Sequence, residues 1–157
     1  MATDVLDPDS LARVFGDVGT FLEEQSRTRE EVLAVDPYAD KLQFLLRLRG
    51  EMRSSIAIWI SLGQRTTNFE AYVLPYPEDE RRSEFFEFVL RKNALVYPLA
   101  FCLGAEDAIY LAGRSATNQL THEVVDFYLG SLYRGIEENF ELMAHLAFGT
   151  PRRSPSP

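Results

Sequence analysis

Three runs in the first half of the chain alternate between apolar and mixed residues, and this period of two constrains the fold more than any other feature. In the first run Leu42, Phe44, Leu46 and Leu48 share one side, with Gln43 and Arg47 opposite. In the second, Ile56, Ile58, Ile60 and Leu62 share a side, with Ala57, Trp59 and Ser61 opposite. In the third, Phe69, Ala71 and Val73 alternate with Glu70, Tyr72 and Leu74. Side chains that alternate in this way belong to strands with one buried face. The connections at Gly50-Glu51 and from Gly63 to Asn68 are short enough for an antiparallel meander.

Helical patterns flank the runs. Asp7 and Pro8 are suited to the cap and first position of a helix, and Leu11, Val14, Phe15, Val18 and Leu22 recur at spacings of three and four. This helix is expected to run to about Gln25, and residues 26–40 read as a polar linker ending in Asp36-Pro37-Tyr38. Pro77 opens a second helix with Glu78, Asp79 and Glu80 at its start and Arg91 and Lys92 at its end, which complements the helix dipole. Asn93 reads as a left-handed stop.

Two more strands follow. One spans Leu95–Leu103, with Tyr97, Leu99, Phe101 and Leu103 on one side and Pro98 marking an edge or bulge. The other spans Ala108–Ala112. Thr121 caps a last long helix with Val125, Tyr128, Leu129, Leu132, Tyr133 and Ile136 as its stripe. A kink is expected at Glu137-Glu138-Asn139. The order is α-βββ-α-ββ-α, an α+β domain with a five-stranded, mostly antiparallel sheet. One domain covers residues 1–150, and the proline-rich tail 151–157 reads as disordered.

The chain has 157 residues, with 16 Lys+Arg against 24 Asp+Glu, a net charge of −8. That balance argues against a nucleic-acid partner, which calls for a basic surface. Residues 1–40 hold ten acids and three bases, so most of the excess lies there. It reads as a solvated helix and linker, or more sharply as an acidic arm that steers a basic partner. No apolar run approaches the roughly 20 residues of a membrane span, and the start lacks the basic and apolar regions of a secretion signal. With a single cysteine, the expectation is a cytoplasmic protein.

Chemistry-bearing residues are few. Cys102 falls in an apolar strand and reads as a buried, inert thiol. His122 sits in the first turn of the last helix, where it reads as solvated. His145, among Met143, Ala144 and Leu146, reads as a surface or interface residue. Glu78-Asp79-Glu80 is explained by the helix dipole without a metal, and adjacent Glu137 and Glu138 diverge by about 100°. No phosphate loop or zinc motif is present. The expectation is a protein with no catalytic residues, metal or cofactor.

Aromatic residues stand out instead. Trp59 and Tyr72 fall opposite the main apolar rows, and Phe85, Phe86 and Phe88 crowd the second helix. Either the second helix covers the far sheet face within one chain, or these five residues form a partner or dimer surface. A homodimer is the expectation.

The second half carries a resemblance. Phe88-Val-Leu-Arg-Lys-Asn93, Tyr97 to Phe101, Ala108-Ile-Tyr-Leu-Ala-Gly-Arg114, Leu120-Thr121, Val125-Asp126 and Leu129-Gly130 together resemble the YbjN family in its actinobacterial form. Its closing Gly-Phe-like segment reads Leu146-Ala-Phe-Gly149 here. The match covers roughly residues 80–149, and the first half fits by element order. The resemblance implies a type III secretion chaperone-like fold of the CesT and SycE class. Such chaperones are small, acidic and usually dimeric, and they bind extended client segments without ATP. The implied function is a non-enzymatic peptide- or protein-binding module, chaperone-like or regulatory, using an apolar groove and a sheet edge. The alternatives are a homodimeric structural protein with no client, and an enzyme whose site the sequence does not reveal.

Overall fold

The computed structural model describes residues 5–149. The tail 151–157 lies outside the described residues. Helix α1 spans Pro8–Thr28, and the Asp7 carboxylate caps it by accepting the Ser10 amide at 2.7 Å. That bond holds the Asp7 carboxyl below its ordinary pKa. The apolar stripe is seated as expected, with Leu11, Val18 and Leu22 buried and Phe15 stacked on Phe44 at 4.3 Å between ring centres.

The segment read as a linker is instead a strand, β1 (Val32–Tyr38), so the sheet has six strands rather than five. β1 is an edge strand that pairs antiparallel with β2 (Gln43–Leu48) and has a register shift between Val32 and Ala34. β3 (Ile56–Leu62) and β4 (Thr66–Pro75) complete the meander. The second helix, α2, spans Arg82–Asn93. It starts later than Pro77 because Asp79–Arg81 form a 3-10 turn first. β5 (Ala100–Leu103) and β6 (Ala108–Ala116) follow, then α3 (His122–Phe148), which is continuous through the expected kink at residues 137–139. The strand order is β1-β2-β3-β4-β6-β5, with every pairing antiparallel.

One face of the sheet carries the core. Leu46, Ile58, Ala71, Leu111 and Phe101 stand side by side across five strands in register, and all are buried. Side chains from all three helices join the same apolar cluster. Trp59, Tyr72 and Tyr110 point to the opposite face and lie outside it. A shift in the β4–β6 register between Tyr72 and Leu74 brings Leu74 inside, where strict alternation had put it outside. Arg53 Nη1 donates to the carbonyls of Tyr72 and Val73 at 2.9 and 2.8 Å, satisfying backbone groups at that irregularity. Glu137 accepts the amides of Glu51 and Met52 at 3.0 and 2.8 Å and so ties the β2–β3 loop to the helix.

Asn93 is the last residue of α2 rather than a left-handed stop, and its side chain does another job. Its Oδ1 accepts the Phe101 amide at 2.7 Å and its Nδ2 donates to the Phe101 carbonyl at 3.1 Å. One amide thereby pins edge strand β5 to α2. Asn93→Ala is expected to cost about 1–2 kcal/mol and to speed hydrogen exchange at the Phe101 amide, as read by NMR. Unchanged exchange there would count against this anchor.

Candidate functional site

Strand β5 covers only the second half of the expected run, because Leu95 to Leu99 form an irregular connection. This leaves an apolar surface on the outside of the molecule. Leu90 on α2 is 72% exposed, and Leu95 and Tyr97 in the connection are 77% and 90% exposed. Phe86, one turn before Leu90, is half-buried and faces the same way. Between α2 and β5 runs an apolar cleft of about 230 Å³, with Phe86, Leu90, Phe101 and Leu103 among its walls. β5 pairs only with β6, and on its outer edge the Asn93 side chain holds both the amide and the carbonyl of Phe101.

The five aromatic residues expected to form one partner surface are divided by the fold. Phe85 is fully buried in the core, so it is withdrawn from any surface role. The reason is geometric: α2 packs on α3 and β5, and Phe85 and Val89, four residues apart, form its inner face. Phe86 and Phe88 are half-buried on other faces of α2, where Phe86 lies beside Tyr76 at 5.8 Å and Lys92 lies over Phe88 at 5.5 Å. Trp59 and Tyr72 stand on the bare sheet face, half-buried, with Tyr38 beside Trp59 at 5.7 Å and Tyr110 edge-on to Tyr72 at 5.8 Å. Leu90 and Leu103 complete the α2 surface, and the exposed end of an apolar pattern on α2 was the signal for Leu90.

Cys102 is exposed on the edge strand, not buried as expected. Strand alternation turns it away from the face on which Phe101 is buried. Partial burial, with Glu70 nearby, pushes its thiol pKa up, which keeps it protonated and weakly nucleophilic. His122 is not merely solvated, because its ring stacks on Phe21 at 4.7 Å. His145 is exposed near the end of α3. Among the described residues, no group of three or more His, Cys, Asp or Glu is placed to hold a metal ion. No helix among them is long and apolar enough to cross a membrane.

Tyr110, on the bare face, donates to Glu106 Oε2 at 2.9 Å. Burial, then this bond, push its pKa up to about 12. The phenol of an unfolded chain titrates near 10, so the neutral form is favoured by folding. This stabilisation is fully present below about pH 10 and is lost as the pH rises through about 12. Burial also raises the Tyr128 and Tyr133 phenols, so tyrosinate absorbance is expected to show several late-titrating tyrosines, of which Tyr110→Phe removes the component near pH 12. A wild-type curve unchanged by that substitution would contradict the assignment.

A second cavity, of about 360 Å³, lies where the end of α1, the β1–β2 edge and the middle of α3 meet. Leu46, Leu48, Leu129 and Tyr133 supply its apolar wall. Arg29 and Asp126, 3.4 Å apart, stand at its rim with Gln25 and Glu31.

No protein-family profile matches the chain. An uncharacterized protein of Mycobacterium tuberculosis is 31% identical over 104 residues, which is 66% of this chain and 56% of that protein. An uncharacterized protein of Mycobacterium leprae is 27% identical over 107 residues, 68% of this chain and 58% of that protein. The chain therefore matches just over half the length of these relatives. Among solved structures, a chain of the ExsC–ExsE complex superposes with a TM-score of 0.55 at 17% identity, covering 82% of this chain and 95% of that one. A chain of the heterodimeric ExoU–SpcU complex from the type III secretion system of Pseudomonas aeruginosa gives 0.54 at 11% identity, covering 79% and 94%. A chain of the HopA1–SchA chaperone–effector complex gives 0.52 at 14% identity, covering 85% and 98%. The fold is type III secretion chaperone-like. At these identities the likeness is one of fold.

Proposed function

We propose that the chain is a non-enzymatic protein-binding module, chaperone-like or regulatory, whose partner surface is the cleft between α2 and the β5 edge. The observation that carries this reading is the apolar cleft walled by Phe86, Phe101 and Leu103 and by Leu90, which is largely exposed. A partner segment places apolar side chains in this cleft. The fold shared with chains of chaperone–effector and type III secretion complexes supports it, as does the resemblance to the YbjN family. The lone exposed thiol of Cys102 fits a reducing cytoplasm.

A second occupant of the same surface is another copy of the chain. Phe86 and Leu90 are one helical turn apart on α2, the spacing at which two copies of a helix pack across a twofold axis. Static light scattering over a concentration series tests this homodimer. Two chains per particle at tens of micromolar (order of magnitude) is the expected result, and one chain per particle throughout contradicts self-association.

A further inference from the structure

The cavity between α1, β1–β2 and α3 has three features that this chain's own packing does not account for. First, Leu46, Leu48, Leu129 and Tyr133 give the chamber an apolar wall that no side chain of this chain fills.

Second, Gly130 lines the chamber from the middle of α3, and a Cβ built there meets nothing within 4 Å. A glycine inside a helix is less stable than alanine, and no neighbour here requires it. Its effect is to leave the chamber wall open. Gly135, one turn further and a half along α3, is the contrast: a Cβ there would come within 2.7 Å of Leu111.

Third, the charge is one-sided. Arg29 is the only cation in the lining, and it already pairs with Asp126. Glu31 makes no ion pair or side-chain hydrogen bond among the described residues. Tyr133 reports the field: burial raises its pKa, and the carboxylates of Glu137, Glu51 and Glu31 raise it further.

We propose that this cavity binds a small apolar amine, with an aliphatic or aryl-alkyl body against Leu46, Leu48, Leu129 and Tyr133 and the protonated nitrogen held by Glu31 at the rim. A chamber of about 360 Å³ lies within the usual range for small ligands. An ammonium supplies three donors and no acceptor, which matches a rim whose unpaired charged group is the Glu31 carboxylate. An anionic ligand of the same shape meets Glu31 and Asp126 and finds Arg29 already engaged. This site is separate from the α2–β5 surface, so it stands or fails independently of the partner-binding proposal.

The probe is 4-phenylbutylamine, titrated into the full chain and followed by amide NMR shifts, with 4-phenylbutyrate and 4-phenylbutanol as controls of matching shape. The amine is expected to saturate with a dissociation constant on the order of 1 mM, typical for so small a ligand. The shifts should centre on Leu48, Leu129 and Gly130. Binding should be about fivefold tighter than that of the alcohol, the scale of one partly exposed ion pair, and tighter still than that of the carboxylate. Glu31→Gln should erase the preference over the alcohol, and Gly130→Leu, which fills the chamber from an unstrained position, should abolish binding. Equal or tighter binding of the carboxylate overturns the proposal, as do shifts centred elsewhere, no saturation by about 10 mM, or undiminished binding by Gly130→Leu.

Discussion

Phe69→Ala should lower the stability of the domain by about 3–5 kcal/mol, the range for a large aromatic removed from a closed core. Phe69 has no exposed surface and sits on β4, in the middle of the sheet, opposite Ile60 on one side and Gly113 on the other. Its ring stacks on Tyr128 at 4.6 Å, and the Tyr128 hydroxyl in turn donates to the Arg114 carbonyl at 2.7 Å. Removing the ring therefore leaves a void where sheet and α3 meet and loosens the tyrosine that fastens α3 to β6. Domains of this size have about 5–15 kcal/mol of stability in total, so the variant should unfold at much lower urea with an unchanged slope. Phe69→Leu, which keeps most of the volume, should cost less than half as much. A loss below about 1 kcal/mol for the alanine variant, well under the range for such a truncation, would contradict the packing described.

The second large effect concerns association. Phe86→Glu combined with Leu90→Glu should weaken binding at the α2–β5 surface by at least about a hundredfold. Each large apolar side chain contributes roughly 1.5–3 kcal/mol when fully buried, and a twofold interface counts each substitution twice. Leu90 is 72% exposed and Phe86 half-buried in the isolated chain, so neither change should unfold it. Phe85→Glu is the instructive contrast: it places a charge in the core and should abolish folding itself. Light scattering and far-UV circular dichroism, read together, separate the two outcomes. Unchanged association in the Phe86/Leu90 double variant would remove this surface from the account.

The elements that bury one full face were legible in the sequence. The rows Leu42 to Leu48, Ile56 to Leu62 and Phe69 to Val73 repeat at two because their strands lie between neighbours with a core beneath, and α1 and α3 announce themselves by caps and stripes. β1 was hidden for a physical reason. It is an edge strand, its residues are half-buried or exposed, and it ends in Asp36-Pro37, so burial leaves little imprint on its pattern. β5 was overextended because Leu95, Val96 and Tyr97 look strand-like while two of the three lie in solvent. Cys102 was misplaced because a four-residue edge strand does not bury both faces.

The partner surface was only half legible. Crowded phenylalanines on α2 revealed that the helix has apolar residues to spare. Their division into a core-facing pair, Phe85 and Val89, and an outward pair, Phe86 and Leu90, depends on how α2 docks on α3 and β5. The amine cavity left no local trace at all. Its walls come from residues 25–32, 46–48 and 126–133, which only the fold brings together.

The measurement that tests the central claim most directly is quantitative capture on the intact chain in its native host, comparing wild type with the Phe86→Glu, Leu90→Glu double variant. The account predicts that wild type reproducibly retains a protein, either a second, differently tagged copy of itself or a different chain. It also predicts that the double variant, equally folded by circular dichroism, retains at least tenfold less (about 1.4 kcal/mol, the minimum two lost apolar contacts should cost). Equal recovery by both proteins, or nothing retained beyond the bait, would contradict it.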